Sequence, residues 1–220
     1  MTGVFFELAP DSLTFVSTDA HRLVRFRRDD IQCPAAEGFI VPRKPLQQLK
    51  STLPADETRL QISYNSSHLF VSTDKLSMSC RLIDARFPDY KAVVPTDNPY
   101  RLTVSRTDFI SALRRVSIFA NKTTNQVVLD IAGNALQISA QDIDFSYEGK
   151  ENLSCQYTGE DLKIAFNAKL MIELVGNLDG AELNVELSTP TRAGIFRPAE
   201  KADNEDVLML LMPQYHRIML

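Results

Sequence analysis

The chain states one structural plan more than once, and that repetition limits its possible folds more than any other feature. Between Phe39 and Leu82 it reads as a strand (Phe39-Ile40-Val41), a short helix (Lys44 to Leu53) and a strand (Arg59 to Tyr64). A tight turn at Asn65-Ser66-Ser67 follows, then strands at His68 to Thr73 and Leu76 to Leu82. The plan returns at Leu102-Val104, Thr107-Phe119, Val127-Ile131, Ala135-Ala140 and Ile143-Gly149. It returns once more at Leu162-Phe166, Ala168-Leu178 and Ala181-Leu187. Leu46, Phe109 and Met171 hold the same point in the three helices, 63 and then 62 residues apart. Self-similarity at a fixed period marks a repeat architecture.

Residues 1–28 read as the back half of a further copy, with strands at Val4 to Leu8, Leu13 to Ser17 and Arg22 to Arg27. Val16-Ser17-Thr18-Asp19 recurs as Val71-Ser72-Thr73-Asp74, and Ser139-Ala140-Gln141-Asp142 echoes it in the next copy. A strand and helix are therefore expected before Val4, and their absence suggests an N-terminally truncated product; a natural domain that opens with a hairpin is the alternative. Leu46, Leu49 and Leu53 form one apolar stripe, with Pro45 in the first turn where its missing N–H is harmless. Ser105 and Asn167 are candidate N-caps of the next two helices. One short helix cannot cover so much sheet, so pairs of units are expected to share a core. The fold class is α+β, repeated units each with a short helix on curved antiparallel sheet. The breaker-rich run Val93-Val94-Pro95-Thr96-Asp97-Asn98-Pro99 sets a boundary between domains at 1–95 and 96–220. Pro190 to Phe196 and Val207 to Met212 are expected to close the chain as edge strands.

Few enzyme chemistries fit. No apolar run approaches the ~18–20 residues of a membrane span and no signal segment is evident, so a cytoplasmic protein is expected. Cys33, Cys80 and Cys155 are odd in number and far apart, and His68 and His216 lack ligand spacing, so neither a disulfide framework nor a metal site is indicated. The glycines form no phosphate-binding loop, and no cofactor is expected. Asp19 and His21 stand close together in Thr18-Asp19-Ala20-His21-Arg22-Leu23 and define a rival hydrolase reading, but no residue is nominated as nucleophile. The net charge of −4 argues against a polycation that coats nucleic acid. Even so, Arg43, Lys44, Lys50, Arg106, Arg114, Arg115, Lys122 and Lys169 fall on or beside the helices of successive repeats. Gathered on one face they would hold DNA through phosphates without reading sequence; the plainer reading is a set of solvated helix surfaces. The apolar run Val207-Leu208-Met209-Leu210-Leu211-Met212-Pro213 can half serve as a core strand, while its remainder suits an adaptable peptide-binding rim. A structural repeat protein without partners is the third reading, and this run disfavours it.

Four motifs, Thr18-Asp19-Ala20-His21-Arg22-Leu23, Val41-Pro42-Arg43-Lys44, Arg86-Phe87-Pro88-Asp89-Tyr90 and Leu210-Leu211-Met212-Pro213, occur in the order and spacing of one family. The chain resembles the bacterial sliding clamp, the β subunit of DNA polymerase III, over its whole length. The resemblance implies a non-catalytic processivity factor. Family clamps have three domains, and two subunits close a ring around duplex DNA. On that template the chain holds most of the middle domain and all of the last. Arg43 and Lys44 would face the channel, with Arg114 and Arg115 as weaker candidates. Polymerases, the clamp loader and repair proteins would insert short motifs into a pocket between the middle and last domains. That pocket would be lined by Thr18, His21, Arg22, Leu23, Pro88, Val93, Met212 and Pro213, with Leu210 and Leu211 nearby. Met1, Thr2 and Gly3 would border it. Ala92 stands where some clamps carry Arg, and Gln214 to Leu220 runs past the usual end, either folded over the pocket or disordered. Family rings close between the first domain of one subunit and the last of the other, so this chain is not expected to close a ring.

Overall fold

The computed structural model describes residues 3–56 and 59–215, which form two compact units. The first unit comprises residues 3–19, 24–90 and 204–206. Strands β1 (Gly3–Ala9), β2 (Ser12–Thr18), β3 (Arg22–Arg28) and β4 (Glu37–Pro42) lie in the order β3-β2-β1-β4. Helix α1 (Arg43–Thr52) leads to a separate sheet, β5 (Gln61–Tyr64), β6 (His68–Ser72) and β7 (Ser77–Arg81), in that order. Alternation along β1 sends Phe6 and Leu8 into a core with Leu13, Val41, Leu69 and Val71, the period of two that one buried sheet face requires. Asn65 closes the β5–β6 hairpin, its Oδ1 accepting from the Ser67 and His68 N–H groups at 2.9 and 2.8 Å. Residues 204–206 belong to this unit through an Arg25–Asp206 ion pair, an Arg28–Glu205 pair at 2.9 Å and the Asp29 N–H donated to the Asn204 carbonyl.

The second unit comprises residues 20–23, 91–203 and 207–215. Its first half runs β8 (Tyr100–Ser105), α2 (Arg106–Val116), a 3-10 turn Ser117–Phe119, β9 (Gln126–Ala132), β10 (Ala135–Asp142) and β11 (Tyr147–Ser154). After β12 (Gln156–Thr158) the second half runs β13 (Leu162–Asn167), α3 (Ala168–Gly176), β14 (Glu182–Leu187), β15 (Gly194–Pro198) and β16 (Glu205–Leu211). The halves exchange strands: β8 pairs with β14, and β13 pairs with β9. The resulting orders are β12-β8-β14-β15-β16 and β11-β10-β9-β13. Each helix thus follows a strand lent to the other half's sheet, which is how the two copies come to share a core. Ser105 and Asn167 cap α2 and α3, accepting from the Asp108 and Leu170 N–H groups. Phe109, Leu113, Met171 and Val175 from these helices are fully buried, each worth roughly 1.5–3 kcal/mol on the scale of apolar transfer.

The α+β fold of repeated helix-on-sheet units matches the sequence reading, while several bounds and placements differ. The strand expected at Ile143-Gly149 begins at Tyr147, because β10 continues to Asp142 and the chain turns through residues 143–146. An Asp142 carboxylate accepting the Asp144 N–H and a left-handed Ser146 (φ 55°) make that turn. The helices end earlier than their apolar stripes suggest, at Thr52, Val116 and Gly176. β15 is not an edge strand: it lies between β14 and β16. Nor is half of the last strand turned outward, since Leu208, Met209, Leu210 and Leu211 are all buried.

Candidate functional site

The residues expected to dock partners fall into distinct structural roles. In the second unit, the residue after Asp19 is Ala20, a non-glycine residue in the left-handed region (φ 73°). That turn brings the His21 carbonyl to the Met212 N–H, which donates to it at 2.9 Å. The end of β16 and the start of β3 are thereby held together within one unit. Arg22 extends to Glu173 on α3, Nη1 to Oε2 2.8 Å. Its side chain is only 23% exposed while the carboxylate is 62% exposed, so the guanidinium is fixed by a partner that water still reaches.

Exposure divides the remaining candidates. Leu23, Leu210 and Leu211 are buried, Leu23 at 2%, so they support the surface from below and do not line it. Met212 is 44% exposed and Val93 58%, while His21 and Ala92 are also exposed and Pro213 is half-buried. Thr18 and Pro88 belong to the first unit. Beyond Pro213 the chain returns to the sheet: the Gln214 N–H donates to the Ala165 carbonyl at 2.8 Å and its Nε2 to the Thr124 carbonyl at 3.0 Å. Gln126 donates from Nε2 to the Tyr215 carbonyl. The rest of the expected tail, residues 216–220, lies outside the described residues, as do Met1 and Thr2. Sequence reasoning missed Glu173, Ala20's conformation and the Gln214 contacts; Glu173 sits 151 positions from Arg22, and no local pattern joins them.

The basic candidates also separate. Arg43, Lys44 and Lys50 are exposed on α1, Arg114 on α2 and Lys169 in the first turn of α3. Arg115 is paired with Glu151 of β11, and that hydrogen bond holds the glutamate carboxyl below its ordinary range. The Arg106 Nε donates to the Gly180 carbonyl at 2.8 Å, and Lys122 Nζ to the Ile118 carbonyl at 3.1 Å. Those two cations are partly committed to holding their own unit together.

A third feature of the second unit is an exposed apolar surface. Ile118 and Phe119 follow α2, and Ile143, Phe145 and Tyr147 surround the β10–β11 turn. Phe145 and Tyr147 stack with centroids 5.8 Å apart. Phe119 lies across Gly149, where a Cβ would come within 2.3 Å of the ring, so only glycine leaves room for that ring.

Antiparallel halves, short helices that each follow a strand, and strand exchange between the halves of the second unit define a DNA-clamp architecture. Residues 1–89 match the central domain of the DNA polymerase III beta subunit, and residues 91–214 match its C-terminal domain. The chain belongs to the DNA polymerase III beta subunit family. It is 27% identical over 214 residues to the beta sliding clamp of Pseudomonas putida, covering 97% of this chain and 57% of that one. It is 30% identical over 190 residues to the Proteus mirabilis clamp, covering 86% of this chain and 51% of the relative. Among solved structures, a Pseudomonas aeruginosa sliding clamp superimposes with a TM-score of 0.92 at 25% identity, and the Thermotoga maritima beta subunit with 0.90 at 26%. Each covers 98% of this chain and 58% of the solved one. The chain thus spans little more than half the length of the relatives it matches.

Proposed function

We propose that this chain is a non-catalytic part of a sliding clamp: it contacts duplex DNA through its helix cations and docks polymerases, the clamp loader and repair proteins through short peptide motifs. The observation that carries the docking role is the join between His21 and Met212. It fixes the backbone of Met212, an adaptable, half-exposed thioether, to the segment that carries Arg22, itself paired with Glu173, an apolar anchor in company with polar groups. Exposed Val93 adds apolar surface of the same unit. A partner strand or turn with hydrophobic anchors and a glutamine would find both kinds of contact.

The DNA-facing role rests on Arg43, Lys44, Lys50, Arg114 and Lys169, which come from one element of successive repeats and stand exposed. Such contacts neutralise phosphates without sequence readout. The apolar surface at Ile118, Phe119, Ile143, Phe145 and Tyr147 is the proposed contribution of the last domain to subunit contact in a complete ring.

Fluorescence anisotropy of a labelled clamp-binding peptide tests the docking role. Saturable one-to-one binding is expected from the folded chain, and a folded chain with no saturable binding overturns it.

A further inference from the structure

Helix α3 is apolar but for two charged side chains, Lys169 in its first turn and Glu173 one turn further on. Nothing local favours an acid there. The helix dipole disfavours a carboxylate this near the C-terminal end, and Lys four residues before Glu is the weaker order of a helical pair. What Glu173 does meet is Arg22, Nη1 to Oε2 2.8 Å, its one ion pair among the described residues. An ion pair this open to water adds little to stability, so the fold does not account for the acid either.

The two members of the pair are unequally placed. Arg22 is 23% exposed and Glu173 62%. The carboxylate is therefore the outer member, and a ligand approaching here meets negative charge first. Arg22 follows directly on His21, whose carbonyl accepts the Met212 N–H. Take the carboxylate away and the charges left at this place are Arg22 and the exposed Lys169, so the sign of the local field reverses.

We propose that Glu173 sets the charge preference of the docking surface, admitting partner segments that present uncharged amides and turning away those that present a carboxylate. This rests on the docking role proposed above and deepens it. Glu173 acts as a positioning residue: it holds the Arg22 guanidinium from one side and answers its charge. An amide oxygen accepts from a guanidinium as a carboxylate does, but only the carboxylate is also repelled by Glu173. For like charges ~7 Å apart near a wet surface that repulsion weakens binding about three- to tenfold.

The probes are two labelled peptides, a clamp-binding peptide with its glutamine and the same peptide with glutamate in that place. By anisotropy the parent chain is expected to bind the glutamine peptide at least about threefold more tightly, a preference that shrinks as salt is raised. Glu173→Gln is expected to lower the ratio of the two Kd values at least about threefold, and Glu173→Ser, with a smaller side chain, to do the same. The Asn177 Nδ2 bond to the Glu173 carbonyl is a main-chain contact and survives both changes. A merely structural role for Glu173 would shift both affinities together and leave their ratio alone. Both peptides bound with that ratio unmoved in the folded variants overturns the proposal and leaves the docking role standing, as does a parent chain that prefers the glutamate peptide. Neither peptide bound by the folded parent overturns the docking role and this proposal with it.

Discussion

Met212→Ala separates docking from stability at the candidate site. Burying a methionine side chain fully is worth about 1.5–3 kcal/mol. In the free chain 44% of Met212 is exposed, so a partner that covers the remainder gains roughly 1 kcal/mol, about fivefold in Kd. The Met212 N–H bond to the His21 carbonyl is a main-chain contact and survives the change. Anisotropy titration of the labelled peptide is therefore expected to show about fivefold weaker binding, with a folding-stability loss of only about 1–2 kcal/mol from the part of the side chain already buried. Leu23→Ala supplies the contrast. Leu23 is 2% exposed, and its truncation is expected to cost about 2–5 kcal/mol of folding stability. Unchanged affinity in a folded Met212→Ala variant would refute the assignment of Met212 as a contact residue.

Three further outcomes follow from individual contacts. For Arg43→Ala with Lys44→Ala, the slope of log K for duplex DNA against log salt is expected to fall by about 1.8; Arg115→Ala is expected to change it by well under about 0.9, because Glu151 already neutralises that cation. Ala20→Gly is expected to raise the melting temperature, since an L-residue in the left-handed region costs roughly 1–2 kcal/mol and the added chain entropy of glycine offsets about 0.5–1; calorimetry showing destabilisation would contradict this. Burial, together with the hydrogen bond to Glu7, raises the Tyr90 phenol above its ordinary range. Its contribution is complete below the unfolded value of ~10 and lost as pH rises through the folded value, so denaturant titrations of Tyr90→Phe are expected to lose less stability than the parent above about pH 10.

The repeat was legible because the helices and hairpins that carry it have local signals: apolar stripes, caps at Ser105 and Asn167, and the Asn65 turn. What escaped was decided by contacts distant in sequence. Ile143, Phe145 and Tyr147 alternate like a half-buried strand, yet Ile143 and Phe145 stand 60% and 66% exposed in and beside a turn. Alternation there serves a surface, and period alone does not distinguish the two. β12, three residues long, pairs only at Arg101 to Thr103 and is too short to leave a pattern. The run from Leu208 to Leu211 reads as half outward because strands usually have one wet face; burial of all four residues shows a strand covered on both sides. At the candidate site, Met212 and His21 were legible as motif members. The Arg22–Glu173 pair and the division between buried Leu23 and exposed Met212 depend on tertiary placement.

The docking claim is tested most directly in a primer-extension reaction run by a relative's clamp, loader and polymerase, with this chain added as competitor. The account predicts progressively shorter products, because the chain competes with that clamp for the polymerase's clamp-binding motif, and predicts that Met212→Ala competes less well. Product lengths unaffected by a saturating excess of the folded chain would contradict it.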